Sequence, residues 1–103
     1  MRIYISESAF NDLEDVKEYY KEEGVPEVGE KFVVSIIQHI ETLSDNPEIG
    51  RIVPEFNTPK LRELIHNPFR IVYTNEKKSI HVVRVWRSER LMTPLESSND
   101  NKI

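Results

Sequence analysis

Apolar residues recur along this chain with two different periods, and the change of period divides it into a helical first half and a strand-rich second half. Ala9, Leu13, Val16 and Tyr20 fall at i, i+4, i+7 and i+11, one face of an α-helix, while Asp12, Asp15, Glu18 and Glu22 fall elsewhere. Ser6 is placed to cap this helix, acidic Glu7 suits its first turn, and Gly24 suits its C′ position. Pro26 fits the first turn of a second helix, in which Val28, Phe32, Ile36, Ile40 and Leu43 continue at helical spacing to a stop at Asn46-Pro47. Val33 and Ile37 widen that stripe. Two amphipathic helices across a short Gly-Val-Pro joint predict an antiparallel hairpin that needs a partner for its apolar face.

The second half supplies the partner. After an irregular connection, NPEIGRIVPEFNTP, the runs LRELI, FRIVYT and SIHVVRVWR each have strand composition, separated by His66-Asn67-Pro68 and by the polar turn 75–78. With a short first strand over 2–6, the predicted order is β-α-α-β-β-β. That is an α+β domain, with a helical hairpin packed on a mostly antiparallel sheet whose opposite face is partly open. The expected single domain covers 1–95, and 96–103 is a polar, frayed tail.

Composition narrows the class without naming a function. With 103 residues, 38% of them hydrophobic and 31% charged, the chain suits one globular domain, and no apolar run approaches the roughly 18 residues that cross a bilayer. No membrane association is expected. The opening MRIYISESAF has no signal-peptide core, and the absence of cysteine removes disulfides and thiol chemistry, so a cytoplasmic location is expected. The net charge of −4 argues against a dedicated nucleic-acid binder. That charge is unevenly spread, however: residues 60–92 carry eight Lys and Arg against three Asp and Glu, whereas 7–56 carry four against thirteen. The basic part coincides with the predicted sheet.

Strand alternation puts Arg70 on a face with Val72 and Thr74, and Phe69, Ile71 and Tyr73 on the other. On the last strand, unbroken alternation groups Arg84 with Ile80, Val82 and Trp86, and Arg87 with His81, Val83 and Val85. Which face meets the helices is left open. Arginines of this kind are also common as ion-paired or snorkelling residues on a solvated sheet face. Phe69, Tyr73 and Trp86 suit core packing better than a base-stacking platform, though both are compatible with the pattern. His39, His66 and His81 show no metal-ligand spacing, and neither a metal nor a cofactor is expected. The acidic positions Glu14, Asp15, Glu18, Glu22 and Glu23 read as solvated helix surface.

The runs RELIHNPFRIVY and VVRVWRSERLM, together with the first strand, the helix opening at Ala9 and Leu13, and Gly50-Arg51 after Asn46-Pro47, resemble the RelE/ParE family of toxins from type II toxin-antitoxin modules. The resemblance spans roughly 3–92; Arg70 within PFRIVY and the VWRSER segment are its most specific pieces. It implies a compact toxin fold neutralised by a cognate antitoxin. RelE-like members cut messenger RNA on the ribosome, and ParE-like members, associated with plasmid stabilisation, block DNA gyrase. Arg70 and Arg90 align with arginines of the ribonuclease branch.

Other positions depart from that branch. Leu61 and Glu63 stand where it carries lysines, no tyrosine follows Arg90 within Leu91 to Glu96, and Arg87 stands where relatives often have a histidine. An arginine stays protonated and is no conventional base. The expected function is therefore a ParE-like gyrase inhibitor acting by protein contact, with Arg70, Arg84, Arg87 and Arg90 as a patch for gyrase or an acidic antitoxin segment. Two alternatives stay open. One is a ribosome-dependent endoribonuclease using Arg70, Arg90 and His81, and the other is a detoxified binding module.

Overall fold

The computed structural model describes residues 1–88. A short strand β1 (Arg2–Ile5) leads into helices α1 (Glu7–Glu22) and α2 (Pro26–Glu41), and a 3-10 turn over Thr42–Ser44 ends the hairpin ahead of Asn46-Pro47. Four strands follow: β2 (Arg51–Ile52), β3 (Leu61–His66), β4 (Phe69–Asn75) and β5 (Ser79–Arg87). They form one sheet in the order β1-β5-β4-β3-β2, with β1 parallel to β5 and all other neighbours antiparallel. The expected α+β architecture is thus present, with one strand more than its pattern showed. β2 has only two residues, too few to register as an alternating run inside a proline-rich connection.

The local signals act as expected. The Ser6 side chain accepts a hydrogen bond from the Ala9 N–H at 3.0 Å and donates to the Val83 carbonyl at 3.1 Å, fixing the start of α1 to β5. Gly24, at φ +86°, takes the left-handed conformation that lets the chain reverse into α2. The two helices approach closely at Gly29, where a Cβ would stand 3.1 Å from the Lys17 Cα.

Ala9, Leu13 and Val16 of α1, with Ile36 and Ile40 of α2, bury their side chains against Leu64, Phe69, Ile71, Tyr73, Ile80, Val82 and Val85 of the sheet. The helix-facing side of the sheet is therefore the one that carries Phe69, Ile71 and Tyr73. The opposite side is partly roofed by the segment after β2, where Val53 packs on Val72 with Leu61, Val83 and Trp86 around it. Phe69 and Tyr73 are core residues as expected, whereas Trp86 belongs to this second, smaller cluster on the far face.

One irregularity alters which side chains share a face. Val72 pairs with Arg84 but Tyr73 pairs with Val82, so Val83 is an extra residue on β5 and the strand alternation shifts there. As a result His81 falls on the far face with Trp86, while Arg87 joins Val82 and Val85 toward the helices. The alternation read from sequence, which grouped His81 with Arg87, is corrected by this bulge.

Candidate functional site

Glu63 and Arg70 face each other across the far side of the sheet because Glu63 pairs with Val72 and Ile65 with Arg70 in the β3–β4 ladder. The Arg70 Nε donates to Glu63 Oε1 at 2.7 Å, and its Nη1 and Nη2 donate to the two oxygens of Glu55 at 3.1 Å. Arg51 donates from Nε to Glu63 Oε2 at 2.6 Å. Two arginines and two glutamates thus form a charge-balanced chain, and its centre is deep: Glu63 is 1% and Arg70 5% exposed. Burial alone opposes the Arg70 charge, but the hydrogen bonds to Glu55 and Glu63 outweigh it and hold the guanidinium above its ordinary value. Below the sheet, the Tyr73 hydroxyl accepts from the Gly50 N–H at 3.0 Å and donates to the Pro47 carbonyl at 2.9 Å, clasping the start of the same connection.

Arg84 and Arg87 lie on the neighbouring strand β5, paired with Val72 and Phe69 on either side of Arg70 in the register. Arg84 grips Asp12 of α1 with both Nε and Nη2, at 2.8 and 2.9 Å, and lies 4.6 Å above the Trp86 ring. The hydrogen bond to Asp12 raises its pKa against the opposing effect of burial. Asp12 also accepts from the Val85 N–H at 2.8 Å. That contact explains why a carboxylate expected off the buried face of α1 is only 9% exposed. Arg87 stacks near Tyr19 and Phe69, with its guanidinium carbon 5.3 and 5.5 Å from their ring centres, and reaches the Tyr20 hydroxyl at 3.5 Å.

Between α1 and the end of β5 these side chains enclose an open groove of about 320 Å³. Val16, Phe69 and Val85 contribute apolar surface, Asp12 and Asp15 acidic groups, and Arg84 and Arg87 basic ones. β1 runs beside β5 only as far as Val82, and beyond it β5 meets side chains of α1, Asp12 at Arg84 and Val85 and Tyr19 and Tyr20 at Arg87, in place of a neighbouring strand among the described residues. Successive residues of a strand turn their N–H and C=O to alternate edges. The edge where the Val85 N–H meets Asp12 has no described strand beside Arg84 to Arg87.

The four arginines singled out from sequence are therefore not brought into one patch. Arg70 points toward Glu55 and Glu63, Arg84 toward Asp12, and Arg87 toward the aromatic rings of α1; Arg90 lies outside the described residues. His81 stacks on Tyr4 at 5.0 Å and shares a hydrogen bond with Ser79 at 3.0 Å. Because Thr74 pairs with His81 and Arg70 with Trp86, His81 is four residue steps along the strands from Arg70, a span of about 13 Å. Such a span does not place His81 beside Arg70 as base and phosphate clamp at one scissile bond.

Sequence reasoning missed Glu55, Glu63 and Asp12 as determinants of what each arginine does. It also left His39 and His66 apart, whereas the fold sets their Nδ1 atoms 2.9 Å from each other. Burial, then the proximity of His39, hold the His66 imidazole below its ordinary value.

A family model described as the ParE toxin of the type II toxin-antitoxin system parDE matches residues 3–92. Among solved structures, a chain from the chromosomal ParDE TA system of P. aeruginosa superposes with a TM-score of 0.72 at 25% identity, covering 84% of this chain and 95% of that one. No curated protein matches.

Proposed function

The chain belongs to the ParE toxin family of type II toxin-antitoxin systems, and from that premise we propose that it inhibits DNA gyrase by protein contact and is neutralised by a cognate antitoxin docked in the α1–β5 groove. One observation carries the docking site: a β5 edge with no described strand beside Arg84 to Arg87, next to a groove with an apolar floor and both acidic and basic side chains around it. An extended antitoxin segment would add to the β5 edge through main-chain hydrogen bonds beyond the Val85 N–H, which Asp12 holds, and set apolar side chains against Val16 and Phe69. A carboxylate on that segment would meet Arg87.

Contact rather than catalysis is the reading the side chains favour. The Arg70 guanidinium is already engaged by two carboxylates, and His81 stands at the opposite end of the strand pair. None of the helices among the described residues is long and apolar enough to cross a membrane, which is compatible with action in the cytoplasm, where gyrase works.

The test is to add the purified chain to gyrase and follow supercoiling, with messenger-RNA integrity measured in cells expressing it. Loss of supercoiling that the antitoxin reverses is the expected result. Codon-phased RNA cuts with normal gyrase activity would overturn the reading, and neutral growth on expression without antitoxin would instead identify a detoxified binding module.

A further inference from the structure

Ser35 and His39 of α2 meet His66 at the end of β3, away from the arginines. The Ser35 hydroxyl donates its one hydrogen to the Phe32 carbonyl at 3.0 Å, so toward His66 Nε2, also at 3.0 Å, it acts as acceptor. His66 therefore carries its proton on Nε2 and presents a bare Nδ1 lone pair. That lone pair faces His39 Nδ1 at 2.9 Å, and a single proton on His39 fills the space between the two nitrogens.

We propose that His39 and His66 are the protein ligands of a divalent transition-metal ion, bound through both Nδ1 atoms in place of that proton. The ring centres are 5.1 Å apart, close to the roughly 5 Å expected for two imidazoles on one tetrahedral ion with metal–nitrogen bonds of about 2.0–2.1 Å. Small rotations of the rings about fixed centres would open the Nδ1 pair to the ~3.3 Å that such an ion requires.

The surroundings suit this role. Ser35 keeps the distal N–H of His66 engaged, the arrangement that orients a ligating imidazole. Both ligands stand on regular structure, His39 within α2 and His66 in register with Phe69 of β4. Among the described residues no third histidine, carboxylate or thiol joins them. Water or a donor from another molecule would complete the coordination. Two imidazoles without a hard-oxygen cage select Zn²⁺, Ni²⁺ or Cu²⁺ over Mg²⁺ or Ca²⁺. The bound ion would tie α2 to β3 and stabilise the fold by mass action.

Calorimetric and thermal-melt titration of the untagged, chelator-treated chain with Zn²⁺ and separately with Ni²⁺ tests the site. One equivalent should bind and raise Tm; His39→Gln and His66→Gln should each weaken binding at least tenfold, and His81→Gln should leave it unchanged. His39 is half-exposed on a helix, so its variant keeps the test valid if His66→Gln fails to fold. Equal affinity in the folded His39→Gln protein, or no binding at a hundredfold excess of either ion, would overturn the proposal.

Discussion

Arg70 and Arg87 sit on adjacent strands of one sheet, one residue apart in register, yet the fold gives them opposite surroundings. Arg70 points to the far face, where the segment after β2 closes over it and two glutamates consume its hydrogen-bonding capacity. Arg87 points to the helix face, beside Tyr19 and Tyr20 of α1, and it borders a groove. The same side chain is therefore a structural pin in one setting and, on the proposed reading, a contact residue in the other. What decides between them is the carboxylate and the covering segment nearby, not the strand that carries the arginine.

The largest expected effect comes from removing the pin. Arg70→Ala leaves Glu63 buried with Arg51 as its remaining partner, and breaking a buried pair this way costs about 3–5 kcal/mol. Denaturant unfolding should show that loss, so any reduced toxicity of this variant reports unfolding. Arg70→Met with Glu63→Leu should recover most of the stability, since a well-packed apolar pair replaces a buried ion pair at little cost.

Next comes the clasp below the network. A Cβ on Gly50 would stand 2.7 Å from both the Glu63 carbonyl oxygen and the Tyr73 hydroxyl, so Gly50→Ala should lose about 1–3 kcal/mol through forced displacement. Tyr73→Phe should lose about 1–2 kcal/mol by leaving the Gly50 N–H without its acceptor. The same position predicts an alkaline limit. Burial raises the Tyr73 pKa above 10.0, with Glu48 adding to the shift and the Gly50 hydrogen bond and Arg62 opposing it. A folded-state value above the unfolded one means that stability is intact below pH 10 and falls as pH rises through the raised value. Melting curves across that range should lose this slope in Tyr73→Phe.

The smallest stability effect is expected at the groove, where Arg87→Ala gives up stacking worth about 0.5–1 kcal/mol. Its effect on antitoxin binding should be much larger. A comparable loss of stability in Arg70→Ala and Arg87→Ala would remove the distinction between pin and contact.

The architecture was legible because long amphipathic helices and alternating strands announce their periods, and Ser6, Gly24 and Pro26 mark the boundaries chemically. The arginines were legible as candidates but their roles were not. Asp12 reads as a polar helix position until Arg84 and the Val85 N–H claim it. Glu63 reads as a misplaced charge on a strand until Arg51 and Arg70 meet it. The bulge at Val83 leaves no turn residue behind, and it moved His81 to the other face. His39 and His66 are 27 residues apart, and only the packing of α2 on the sheet joins them.

The most direct test of the division between the two arginines is the affinity of the cognate antitoxin for Arg87→Ala, measured on protein whose melting curve shows it fully folded. A dissociation constant at least tenfold weaker than for the unaltered chain is expected. An unchanged affinity in the folded variant would contradict that division.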